Sequence, residues 1–201
     1  MHLPDIDIDC ADREEVLRLI KHIPAAQSVD TRAKRHGSGI YVTDIPYNAM
    51  SDCAGIDYIA AEHRGYFKVD ILNCAVYGLV RDSEHYEEML AREPDWSLLW
   101  TNPSLSSKVV HVGSYYSLLS SMKPDNIIKM AAMISIIRPG KAHLQRKPWD
   151  EVLSMVWDGN DSEGYVFRKS HAVSYSMLVA LHLNILAESL HSLDHNDRAF
   201  F

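Results

Sequence analysis

Asp5, Asp7 and Asp9 alternate with Pro4, Ile6 and Ile8 near the start of the chain, and Asp70 stands between Val69 and Ile71. Alternate residues of a strand face the same way with Cα atoms roughly 6.5–7 Å apart, so Asp5 and Asp7 can reach toward one point. Carboxylates so placed can share two cations held about 3.5–4 Å apart, the spacing of two-metal phosphoryl transfer. Magnesium suits such a site, because it takes hard oxygen ligands and keeps waters and substrate phosphates in its shell; manganese is the expected substitute. Asp70 in an apolar strand is costly to bury unless it is paired or bound to metal. If its strand neighbours the first, three carboxylates converge and their repulsion calls for a cation. The other reading of the same residues is that Asp-Ile-Asp-Ile-Asp is the wet face of an amphipathic strand and Asp70 merely ends another.

The elements that must position these groups can be read from local pattern. Leu3–Asp9 alternates as a strand. Asp12 is placed to cap a following helix, with Glu14 and Glu15 at its positive end and Val16, Leu19, Ile20 and Ile23 as its apolar stripe. Residues 24–38 are polar and basic, Gly39–Thr43 reads as a short strand, and Gly65–Leu72 as a second one rich in β-branched and aromatic residues. Helices are expected near 82–92, 114–122, 125–137, 149–156 and 170–193, between turns bearing Pro or Gly. Strands early and helices late predict an α+β fold.

The 201 residues, 47% apolar and 23% charged, match a folded soluble protein. No apolar run of membrane length and no signal peptide is expected. Cys10, Cys53 and Cys74 are far apart and odd in number, which fits reduced thiols in a cytoplasmic protein rather than a disulfide frame or zinc site. The net charge of −7 opposes nucleic-acid binding unless basic residues cluster locally. Three clusters exist: Arg32, Lys34, Arg35 and His36; Arg138, Lys141, His143, Arg146 and Lys147; and Arg168, Lys169 and His171. Each taken alone also reads as a solvated face.

Several strings, in order, carry a resemblance. Pro4-Asp5-Ile6-Asp7-Ile8-Asp9 resembles the Pro-Asp-x-Asp-x-Asp motif of bacterial DNA polymerase III alpha subunits, the C-family replicative polymerases. Arg35-His36-Gly37-Ser38-Gly39-Ile40 is similar to their His-Ala-x-Gly-Val segment, and Lys68-Val69-Asp70-Ile71-Leu72 to their Lys-x-Asp-x-Leu motif. Leu119 through Met122-Lys123-Pro124-Asp125 and Arg138-Pro139-Gly140 resemble the Leu-Lys-Pro and Arg-Pro-Gly segments; Lys169-Ser170-His171-Ala172 with Tyr175 resembles the Lys-Ser-His-Ala-x-x-Tyr helix of the fingers.

The resemblance implies a small mixed-sheet palm over 1–75, lacking the thumb insertion, and a mostly helical fingers region over 76–201. It implies Asp5, Asp7 and Asp70 as catalytic ligands of two magnesium ions. Arg138, Lys169, Ser170 and His171 become contacts to nucleotide phosphates, and Arg32, Lys34, Arg35 and His36 contacts to DNA. The implied reaction is transfer of deoxynucleoside monophosphates from their triphosphates to a primer 3′-hydroxyl on a primer-template. The residues themselves leave Ser170 open as a helix cap, His171 as a structural histidine and Arg138-Pro139-Gly140 as a helix-ending turn.

The sequence departs from the family pattern as well. It begins near the first motif aspartate, without the family's Gly-Ser phosphate-binding segment or its metallophosphoesterase-like domain. Val110-His111-Val112-Gly113-Ser114 stands where the family has Phe-Gln-Leu-Glu-Ser, and Cys10 replaces an aromatic. An edge strand carrying three aspartates is awkward to keep folded alone. The expectation is therefore a second polypeptide completing palm and thumb, or self-association, and no membrane. A mobile element such as a phage is a natural setting for so reduced a form. The competing reading is a non-catalytic interaction protein derived from a polymerase, acting as a replisome accessory or polymerase inhibitor.

Overall fold

The computed structural model describes residues 6–29, 32–158 and 169–198, with side chains up to residue 190. The fold is α+β, as strands early and helices late predict, and forms two compact units, Met1–Leu79 and Val80–Phe201.

The first unit contains β1 (Ile6–Cys10), α1 (Arg13–Leu19), β2 (Ile23–Val29), β3 (Arg32–Tyr41), β4 (Tyr47–Asn48), β5 (Cys53–Ala54), α2 (Tyr58–His63) and β6 (Val69–Asn73). Four strands form one sheet in the order β1-β6-β3-β2, while β4 and β5 make a separate hairpin. β1 runs parallel to β6, and the other neighbours in the larger sheet are antiparallel. A parallel neighbour needs a long crossover, and everything from α1 to α2 supplies it.

The start of α1 is as its sequence indicates: the Asp12 carboxylate accepts from the Glu14 and Glu15 amides at 2.8 and 3.3 Å. Its apolar stripe is not buried. Leu19 is 85% exposed and no residue of α1 is buried. The chain turns extended at Ile20, and Ile23 already belongs to β2, so the helix is too short to present a continuous face. The polar, basic stretch 24–38, to which the sequence assigned no element, lies mostly in the β2–β3 hairpin. Arg32 to Arg35 are all exposed, on both faces of β3, so no apolar alternation marks them as strand.

The core of this unit is small: Ala25, Ala26, Tyr41, Ile45, Cys53, Ala54 and Ala61. The Tyr41 hydroxyl is buried in it without a hydrogen-bond partner among the described residues. Burial, with Asp57 and Asp70 nearby, pushes its pKa up to about 12. An unmade buried hydrogen bond costs about 1–3 kcal/mol, so Tyr41→Phe is expected to stabilise the protein by about 1 kcal/mol. Urea unfolding of the full chain measures this, and a lower midpoint for the variant contradicts it.

The second unit contains α3 (Ser83–Ala91), α4 (Leu98–Thr101), α5 (Pro103–Ser106), α6 (Tyr116–Met122), α7 (Ile127–Ile136), α8 (Trp149–Met155) and α9 (Lys169–Arg198). Residues Met130 to Ile136 of α7 are all buried, the mark of a helix at the centre of its unit. α9 packs beside it, burying Val179, Leu181 and Leu183. Lys169–Leu190 is long enough to cross a membrane, and its most apolar 18-residue window has mean hydropathy 1.3. Half of that window is buried within the protein, which fits a core helix. Its interspersed His182, Asn184 and serines keep it from reading as one apolar run.

Buried and half-buried polar groups of α9 have assigned work. Asn184 Nδ2 donates to the Met89 and Arg92 carbonyls, both at 2.8 Å, satisfying the end of α3. Glu188 accepts from both Arg81 guanidinium nitrogens at 3.1 and 3.3 Å and from His85 Nε2 at 3.1 Å. Arg81, then His85, holds the Glu188 carboxyl below its ordinary 4.5 against the opposing pull of burial. A carboxyl lowered in the folded state stabilises the protein above pH 4.5 and loses that contribution as pH falls through the folded value. Glu188→Gln is accordingly expected to lower the melting temperature at pH 7 by about 2–4 °C, for roughly 1 kcal/mol. The gap should narrow as pH falls below 4.5; a gap that stays the same size down to the lowest pH at which both proteins fold would rule out the charged pairing as its source.

Candidate active site: two aspartates across parallel strands

The register of β1 and β6 sets Asp7 directly opposite Asp70. Partners on neighbouring strands project from the same face with Cα atoms about 4.8 Å apart. Gly39 of β3 pairs with Asp70 from the other side, so Asp7, Asp70 and Gly39 form one row across three strands. A Cβ on residue 39 would lie 2.8 Å from Lys68 Cδ and 3.0 Å from His36 Nδ1. Glycine there clears the space through which these two side chains approach Asp70.

Asp70 is 7% exposed, whereas Asp7 and Asp9 are exposed. One Asp70 oxygen accepts the Ser38 hydroxyl proton at 2.6 Å, and the other is paired with the Lys68 ammonium. His36 Nδ1 lies 3.6 Å from Asp70 but accepts the Gly39 and Ser38 amide protons at 2.9 and 3.3 Å. That makes it the Nε2–H tautomer, with an unprotonated nitrogen toward Asp70, so the contact is no ion pair. Arg13 Nε donates to the Ile71 carbonyl at 3.1 Å and Nη2 to that of Ser38 at 3.5 Å, tying the start of α1 to β6 and β3.

Two of these partners were not singled out by sequence reasoning. Lys68 enters there only as a letter of a motif, and Ser38 only as part of that string. The signal for Lys68 was its spacing, since residue i−2 of an extended segment lies on the same side as residue i. Nothing local pointed to the Ser38 contact, which depends on β3 lying against β6.

The remaining candidates are distributed as follows. Asp5 lies outside the described residues. In the first basic cluster Arg32 and Lys34 are exposed on β3, but Arg35 is paired with Asp52 at the β4–β5 turn and His36 turns toward Asp70. Arg138 is exposed before the 3-10 turn Pro139–Leu144. Lys169, Ser170 and His171 make the first turn of α9. There the Lys169 ammonium sits 5.7 Å from the Trp157 ring centre and the His171 ring 6.4 Å from that of Tyr175. Lys141 is not part of a solvated patch: it is buried and donates to the Asp158 carbonyl at 2.6 Å. Burial, then neighbouring aspartates, pushes the Cys10 thiol up, and burial does the same for Cys74. Neither is poised as a thiolate nucleophile.

Among the described residues no group of three or more His, Cys, Asp or Glu converges on a metal position. The Asp7 and Asp70 carboxylates do fit a hard cation by donor chemistry, with the Ser38 oxygen beside Asp70. The Lys68 ammonium already offsets the Asp70 charge. Comparison of the chain with protein-family models, with curated proteins and with solved structures gives no match.

Proposed function

We propose that the chain is the nucleotidyltransferase core of a reduced C-family-like DNA polymerase, extending a primer 3′-hydroxyl with deoxynucleoside monophosphates. The observation that carries this reading is the register of Asp7 with Asp70. Two motif aspartates far apart in sequence stand side by side on one sheet face, as a shared cation would require. Their motifs also occur in the polymerase order along the chain.

In this reading Asp7 and Asp70, with Asp5, hold magnesium. When bound, the metal lowers the pKa of the attacking hydroxyl and neutralises the triphosphate and leaving pyrophosphate. Lys68 and Ser38 fix the Asp70 carboxylate and limit its repulsion from Asp7. Arg138, Lys169, Ser170 and His171 supply donors for nucleotide phosphates, and Arg32 and Lys34 for DNA. A second polypeptide, or another copy of this chain, completes the grip on primer and template, in the cytoplasm.

One observation favours the second reading, a non-catalytic polymerase-derived interaction protein: Asp70 is already compensated by Lys68 and Ser38. The test is primer extension with magnesium or manganese, by the chain alone and with proteins encoded beside it. Metal-dependent incorporation, abolished by chelator, supports the polymerase reading. A stable stoichiometric complex with no incorporation under either metal selects the second.

A further inference from the structure

A cavity of about 430 Å³ opens between α1 and β3, lined by Arg13, Glu14, Arg18, His22, Arg35 and His36. Its wall carries three guanidiniums; Arg13 is paired with Glu14 and Arg35 with Asp52, so Arg18 leaves it with an excess positive charge in a chain whose net charge is −7. Positive groups gathered in one wall are a feature of anion recognition.

Two of the three guanidiniums are held in place. Arg13 is fixed by the Ile71 and Ser38 carbonyls and by Glu14 at 3.1 Å, and Arg35 by the Asp52 carbonyl at 2.9 Å and the Asp52 carboxylate. His22 is held by its Nδ1–H, which donates to the Ile20 carbonyl at 3.0 Å. Arg18, by contrast, is exposed and has neither hydrogen bond nor ion pair among the described residues. A frame of fixed cations with one uncommitted guanidinium at its edge can close on an anion through bidentate hydrogen bonds. The volume lies within the range of small-ligand sites, enough for a phosphate chain rather than an extended strand.

We infer that this cavity binds the phosphate chain of a free nucleotide, with pyrophosphate as its minimal ligand and Arg18 as the closing contact. The inference does not require Asp7 and Asp70 to hold metal. It is tested by calorimetric titration of the full chain with pyrophosphate and with dATP, in chelator and at fixed salt. Both should bind saturably. Losing one charge-assisted contact is expected to weaken binding about tenfold in Arg18→Ala.

Lys21→Ala removes the same charge from a lysine outside the cavity wall, paired on the surface with Asp44 at 3.4 Å. It should change affinity less than twofold. Asp7→Asn should bind as the parent does, which separates this site from the aspartate pair whatever that variant does to catalysis. Three outcomes overturn the inference: no binding of either ligand by the folded protein, equal weakening by the Arg18 and Lys21 variants, or displacement by a single-stranded oligonucleotide but not by pyrophosphate. Both side chains are exposed, so both variants should give the parent's circular dichroism spectrum.

Discussion

Asp7→Asn is expected to lower metal-dependent primer extension about a thousandfold, roughly 4 kcal/mol of transition-state stabilisation, with almost no change in stability. The two halves of this result have separate causes. Asp7 is exposed on the edge strand β1, and surface substitutions there usually move stability within about 0.5 kcal/mol. Its value lies in donor chemistry: asparagine keeps the shape but removes the charge that would hold a divalent ion beside Asp70. Initial rates of incorporation, set beside urea unfolding of the same preparation, check both halves. Undiminished extension by a folded Asp7→Asn protein would end the catalytic reading.

Asp70→Asn should behave differently, losing activity to the same degree and also about 2–3 kcal/mol of stability. The Lys68 and Asp70 side chains are only 17% and 10% exposed, and the ammonium sits against the carboxylate. Neutralising Asp70 removes the carboxylate that the largely buried ammonium sits against, and breaking a buried pair from one side typically costs about 3–5 kcal/mol. The residual exposure of Lys68 lowers the figure. Removing both charges is less harmful than removing one, so Asp70→Asn combined with Lys68→Met should regain more than half of the lost stability while activity stays lost. A double-mutant cycle by urea unfolding measures the coupling, expected at about 2 kcal/mol. Strict additivity would show that the two groups do not depend on each other.

The contrast between these aspartates bears on both functional readings. If Asp70 served structure alone, its substitution would destabilise and that of Asp7 would do nothing. Under the polymerase reading they diverge in stability and coincide in activity. The pair of variants is thus more informative than either one.

Local chemistry was sufficient to announce part of this protein. Asp12 ahead of Glu14 and Glu15 marks the start of α1 because a cap needs only its own next three residues. Likewise α3, α6, α7, α8 and α9 lie close to the helices read from apolar spacing and Pro or Gly punctuation, since helical hydrogen bonds join residues four apart. The alternating aspartates of β1 and the apolar setting of Asp70 were legible too, as was the α+β order of elements.

What only the tertiary structure decided is which strands lie together. The β2–β3 hairpin was hidden because Arg32 to Arg35 are exposed on both faces, so neither period is written in the residues. The pairing of β1 with β6, which brings Asp7 beside Asp70, crosses more than sixty residues and rests on backbone hydrogen bonds that carry no side-chain signature. The Ser38 contact to Asp70 and the clearance at Gly39 follow from the second pairing, β3 against β6, and the cationic cavity from the packing of α1 beside β3. Sequence pattern fixes what a segment can form locally; which groups then share a site depends on sheet register, a property of partners distant in the chain.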